Sequence, residues 1–172
     1  MKRLIILLCL IGIGIALIGC QMDWSKFKEV AEPQVKTQAA KEEILYVSDL
    51  EPVASRGEVL KNINPENHLI SLNGLRYEKG LCVTSPSDVT YDITGYTRFK
   101  CVVGHDGDYP EYNSELTFAI SVDGQKVYES KPLGASDSEE VDIPVEGSKL
   151  TLSVRDNGFH TRYVVWADAG LF

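Results

Sequence analysis

Eleven polar and aromatic residues in predicted loops have the side chains a sugar site needs: Asn67, His68, Tyr77, His105, Tyr109, Tyr112, Arg155, Asn157, His160, Tyr163 and Trp166. Planar amide, carboxylate, guanidinium and imidazole groups pair with hydroxyls, and an aromatic face takes the C–H side of a pyranose ring. The set expected to share one cleft is His105, Asp106, Tyr109, Arg155 and Asn157, with Trp166 as a further ligand-binding candidate. That requires the loops after Val103 and Val154 to leave the same end of the fold. Catalytic chemistry finds no such support. The three histidines are scattered, and there is no Gly-x-Ser-x-Gly, His-Glu-x-x-His or glycine-rich phosphate loop. The chain therefore reads as non-catalytic.

Two acidic pairs are candidates for a structural Ca²⁺, which favours carboxylate and carbonyl oxygens. Asp49 and Asp168 stand near the two ends of the domain, where terminal strands of a sandwich often lie side by side. His105-Asp106-Gly107-Asp108 carries two acids on a glycine turn but completes no EF-hand, so a solvated acidic turn is the reading for it.

The elements that must position these groups are strands. Asn73-Gly74 and Asp123-Gly124 are two-residue hairpin turns, because a type I′ turn needs φ > 0 at both central positions. Leu116, Phe118, Ile120 and Val122 alternate with Thr117, Ala119 and Ser121, the pattern of a half-buried strand. Val89, Tyr91 and Ile93 do the same after Ser85-Pro86-Ser87 breaks the preceding run. Glu51 to His68 is punctuated by Pro52, Gly57, Asn62, Asn64, Pro65 and Asn67 and reads as an irregular loop, functional or disordered. Short strands at this spacing without helices predict an all-β antiparallel sandwich. Alternation puts Cys101 with Phe99 and Val103 but Cys82 on the side opposite Leu81 and Val83, which argues against a bridge between them.

The N-terminus has a separate purpose. Lys2-Arg3 precedes an apolar run from Leu4 to Ile18, the length of an export signal and short of a bilayer span. The run ends in Leu17-Ile18-Gly19-Cys20, which resembles a lipobox, so residues 1–19 are expected to be removed and Cys20 lipidated. Residues 20–42 are too polar to bury a core and read as a tether. Residues 43–172 form the predicted domain, exported and held at the cell membrane by acyl chains on Cys20. Loss of Lys2 and Arg3 moves the formal charge from −8 to −10, with no basic cluster left, which excludes nucleic acid as a partner.

Ser71 to Asp92, together with Tyr46 to Leu50, Arg98 to Gly104, Val122 to Tyr128 and the closing Trp166-Ala167-Asp168-Ala169, resembles the NPCBM domain. That is the novel putative carbohydrate-binding module related to carbohydrate-binding module family 51. The resemblance spans about residues 43–172. It implies a jelly-roll-like, galactose-binding-like β-sandwich that binds glycan without catalysis, with a galactose-type sugar as the implied partner. Two positions depart from the family pattern. Thr84 stands where many members have a histidine, and where a His-Ala-Asp is frequent before the final tryptophan this chain has Tyr163 or Val164, then Val165. A second reading therefore stays open, in which the sandwich has lost its sugar site and serves protein interaction or envelope structure.

Overall fold

In the computed structural model, residues 43–109, 115–156 and 162–172 are described. The strands are β1 (Leu45–Tyr46), β2 (Ala54–Arg56), β3 (Val59–Lys61), β4 (Ile70–Leu72), β5 (Leu75–Tyr77), β6 (Gly80–Ser85), β7 (Ser87–Asp92), β8 (Arg98–His105), β9 (Leu116–Val122), β10 (Gln125–Glu129), β11 (Ser138–Pro144), β12 (Lys149–Asp156) and β13 (Arg162–Leu171). A 3-10 turn at Val47–Asp49 follows β1. One sheet, called A below, runs β11-β8-β13-β6-β3 with β1 added beside β13; the facing sheet B runs β10-β9-β12-β7-β2. Every pairing is antiparallel. The fold is the expected β-sandwich.

Alternation builds the core. Phe118, Ile120, Leu150, Leu152 and Val89 from sheet B meet Phe99, Val103, Val83, Val164 and Trp166 from sheet A, all with no exposed surface. Trp166 stands edge-on to Phe118, ring centroids 5.1 Å apart and planes at 82°, the quadrupole-favoured arrangement. It is a core residue, which corrects its place among the ligand-binding candidates: no sugar can reach a ring held between two sheets.

β6 breaks the two-residue rhythm, since all six of its residues are buried. The cause is the hairpin of β4 and β5, which turns at Asn73 (φ +49°) and Gly74 (φ +78°) and lies on the outer face of sheet A. There Ile70 and Leu72 pack with Cys82 and Val165 in a second apolar cluster. Cys82 is thus on the outer face and Cys101 in the main core, both as free thiols.

One break falls where the sequence places it, and one segment differs from expectation. Ser85-Pro86-Ser87 is where the chain crosses from sheet A to sheet B, with a cis Ser85–Pro86 peptide. Glu51 to His68 is no irregular loop, because it supplies β2 and β3, the edge strands of both sheets. Three residues each, they are too short for a period to show.

Candidate functional site

β8 and β12 end at the same end of the sandwich. His105 pairs with Val164 near the start of β13, and Arg162 at that start binds Asp156, the last residue of β12, at 2.5 Å. Beyond β8 the chain turns tightly. The Asp108 N–H donates to Asp106 Oδ1 at 2.9 Å and the Tyr109 N–H to the Asp106 carbonyl at 2.9 Å, while the Gly107 N–H reaches the Ser71 carbonyl in β4 at 2.8 Å. A Cβ at Gly107 would stand 2.8 Å from Ser71 Oγ, so a larger residue there requires the serine hydroxyl to turn away.

The turn presents the Asp108 carboxylate to three other segments. Arg76 of β5 grips it with Nη1 at 2.6 Å and Nη2 at 2.9 Å, and Asn64 Nδ2 donates at 2.8 Å. His68 Nδ1 lies 3.8 Å away. Asn64, fully buried, uses Oδ1 to accept the N–H groups of Glu66 and His68, each at 3.1 Å. A two-pronged guanidinium–carboxylate pair fixes direction as well as distance. Hydrogen bonding from Arg76 holds the Asp108 carboxyl below its ordinary value, and Asp108 raises Arg76 in turn.

Beside this clamp, Tyr109 and Tyr163 form an aromatic pair, centroids 5.5 Å apart and planes at 47°. Tyr163 projects outward from β13, and its hydroxyl donates to Glu58 Oε2 at 3.0 Å, a contact that raises the phenol's pKa. Glu58 is itself placed by Thr84, whose Oγ1 accepts the Glu58 N–H at 2.9 Å. Thr84, where the family often has histidine, thus sets the position of a surface carboxylate. The surface offers two ring faces, exposed donors on Arg76 and His68, and acceptors on Glu58 and Glu66. That combination suits the hydroxyls and C–H groups of a pyranose.

The clamp has a pH signature. Asp108 is an acid with a lowered folded-state pKa, so its contribution is complete above the unfolded value of about 3.9 and is lost as pH falls through the lowered value. The clamp's contribution to ligand affinity is expected to be lost only below about pH 4. Titrations on a His68→Gln chain check it; a loss centred between about pH 6 and 7 in that chain would contradict it.

The sequence candidates are distributed as follows. His105 and Asp106 are buried, at 1% and 0% exposure, and lie beneath the surface. Burial raises the Asp106 carboxyl, and Cys82 Sγ sits 3.8 Å from its Oδ2. Tyr109 and Tyr163 are at the surface. Arg155 is at the same end but on the outer face of sheet B, donating to the Ser87 carbonyl at 2.9 Å and Asp88 Oδ1 at 2.7 Å, beside a separate recess of about 310 Å³. Among the described residues the expected common cleft is therefore not formed, because the sandwich separates Arg155 from Tyr109. Tyr77 packs on the Ile70–Cys82 cluster. Asn67 is an exposed turn residue at φ +62°. Asn157, Tyr112 and His160 lie outside the described residues.

The acidic turn is neither a solvated loop nor a cation loop, since Asp108 is occupied by Arg76 and Asp106 is buried. Asp49 Oδ1 accepts from Lys79 Nζ at 2.5 Å, so one carboxylate of the other Ca²⁺ pair already has a cation. Among the described residues no three His, Cys, Asp or Glu side chains are grouped to hold a metal.

Residues 43–172 match the model of the NPCBM/NEW2 domain. No curated protein matches significantly. Among solved structures, the family 51 carbohydrate-binding module of a Clostridium perfringens family 95 glycoside hydrolase, in complex with methyl-galactose, superposes with a TM-score of 0.68 at 26% identity, covering 76% of this chain and all of that one. A Clostridium perfringens ZmpB structure containing an M60 catalytic domain and two such modules gives 0.64 at 28% identity, covering 75% of this chain but 15% of that one. The second ZmpB module, in complex with GlcNAc, shares the fold with a TM-score of 0.62 at 24% identity, covering 75% of this chain and 31% of that one. The family match covers the described sandwich from end to end, and the chain belongs to the NPCBM/NEW2 domain family.

Proposed function

We propose that this protein is a surface lipoprotein that presents a non-catalytic carbohydrate-binding module, with a galactose-type pyranose bound across Tyr109 and Tyr163. The observation that carries the reading is the tyrosine pair beside the Arg76–Asp108–Asn64 clamp at the loop end of sheet A. Support also comes from the relative solved with methyl-galactose, which is 26% identical over all of that chain and 76% of this one. The groups at the surface are hydrogen-bond partners already fixed by one another. A bound sugar would meet few side chains that must still be ordered.

Export and anchoring rest on the N-terminal sequence. Cys20 takes the acyl chains, residues 20–42 hold the module off the membrane, and the protein faces outside the cytoplasm. Cys20→Ala is expected to abolish lipid labelling and leave a larger, unprocessed precursor, read by mass spectrometry. An unmodified mature N-terminus at another residue in the wild type would refute the anchor. The function itself is tested on a glycan array with the full chain in detergent. Retention on galactose-terminated glycans is expected, whereas retention on none would favour a protein-interaction role.

A further inference from the structure

β11 is an edge of sheet A. It pairs with β8 over Ser138–Pro144, seven residues, and among the described residues nothing bonds to its other side. The Val145 N–H donates to the Thr97 carbonyl at 2.9 Å, which sets the parity of the ladder. Glu139, Val141 and Ile143 therefore bond to β8, and the backbone N–H and C=O groups of Glu140 and Asp142 point away from the sheet. Such a row of unpaired groups is a template for one more strand.

Beside this edge the outer face of the sheet is hollow. A groove of about 330 Å³ is lined by Glu140 and Asp142 of β11, Lys100 and Val102 of β8, and Asp168 of β13. That volume is at the lower end of the range for small-molecule sites and suits one long side chain. Most of the charges around it are already matched. Lys100 Nζ stands 3.4 Å from Asp142, which Arg98 also grips with two contacts of 2.7 Å, and Lys79 Nζ, over the Tyr46 ring, is held by Asp49 at 2.5 Å. Glu140 and Asp168 have no cation among the described residues. Their fields overlap at the Tyr77 phenol, whose pKa is raised by burial first and then by these two carboxylates.

Charge decides what can occupy the edge. A second copy of this chain pairing through β11 would set Glu139, Glu140 and Asp142 against the same acids, and like charges opposite one another destabilise a ladder. A basic strand meets the reverse. In an added strand the residues opposite Glu140 and Asp142 turn their N–H and C=O groups to β11 and their side chains to the outer face, where the groove lies. A lysine or arginine there reaches Glu140 and Asp168 while its methylene stem lies along Val102. The alternate residues face inward, beside the half-buried Ile143 and Tyr128 at the rim of the core. We infer that the β11 edge and its groove form a docking site for an extended basic segment of a partner protein, which adds to sheet A as a strand and sets a cationic side chain against Glu140 and Asp168.

The test titrates the full chain in detergent with the acetylated, amidated peptide Thr-Val-Lys-Val-Lys-Val-Thr, read by calorimetry. Binding is expected, and Glu140→Gln and Asp168→Asn are each expected to weaken it by about tenfold, the loss of a charged hydrogen-bond partner. Asparagine tolerates the left-handed backbone at 168, where φ is +46°, and Glu140 is exposed, so neither variant should shift the melting temperature. Two methylated peptides separate strand pairing from attraction between charges. Methyl groups on the lysine amides block the N–H groups that face β11 and should abolish binding, whereas methyl groups on the valine amides point to solvent and should leave it. No binding of the parent peptide, equal effects of the two methylations, or affinity that both protein variants leave unchanged overturns the docking site. Glycan affinity at Tyr109 and Tyr163 should be the same in both variants, so this inference and the sugar surface stand or fall separately.

Discussion

Trp166→Ala is expected to lower the folding free energy by about 3–5 kcal/mol, the usual loss for a buried tryptophan. The residue has no exposed surface and lies in the middle of β13, the strand that joins β8 to β6 in sheet A. Its edge contact with Phe118 ties that sheet to β9 of the other. The packing around it is close to crystalline, so the space left by the indole would not collapse without moving both sheets. Denaturant unfolding with the midpoint and slope fitted together measures the loss. A destabilisation below about 1 kcal/mol, with glycan affinity lost instead, would return Trp166 to the binding surface and contradict the fold described here.

Tyr163→Ala carries the largest expected effect on binding. Truncating an aromatic anchor at the centre of a recognition surface typically costs about 2 kcal/mol or more, so sugar affinity should fall about thirtyfold or further. Tyr109→Ala should act in the same direction, since the two rings lie side by side at 5.5 Å. Tyr163→Phe separates the ring from its hydroxyl. It keeps the aromatic face, releases the Glu58 contact of 3.0 Å, and should retain most of the affinity. Arg155→Ala serves as the contrast. Its guanidinium faces the other side of the sandwich and is held by Asp88 and the Ser87 carbonyl, so affinity should stay within about twofold. Calorimetry on the four variants decides among these outcomes; an Arg155→Ala loss larger than that of Tyr163→Ala would move the site to sheet B.

Local signals read well because they are local. Asn73-Gly74 and Asp123-Gly124 have the positive φ pairs their residue types demand, and the Leu116 to Val122 alternation is a buried–intermediate strand as its period requires. Cys82 and Cys101 separate to opposite faces by the same parity. Trp166 fails as a binding residue for a non-local reason, because nothing in its neighbours announces that Phe118 will meet it across the core. The clamp was hidden in the same way. Asp108 reads as half of an acidic turn, and Arg76 as one more polar strand residue. The hairpin's position on the outer face of sheet A joins them across 32 positions of sequence. Thr84 stands where the family pattern often has histidine, and in this fold it gives the Glu58 N–H an acceptor.

The most direct test of the tyrosine surface is a residue-resolved titration with methyl β-galactoside, following backbone amide chemical shifts of the wild-type chain by heteronuclear NMR. Shifts are expected to concentrate on Glu58, His68, Arg76, Tyr109 and Tyr163, and to saturate with the affinity seen by calorimetry. Saturable binding that leaves these five amides unmoved, with the changes confined to residues around Arg155 or elsewhere, would contradict it.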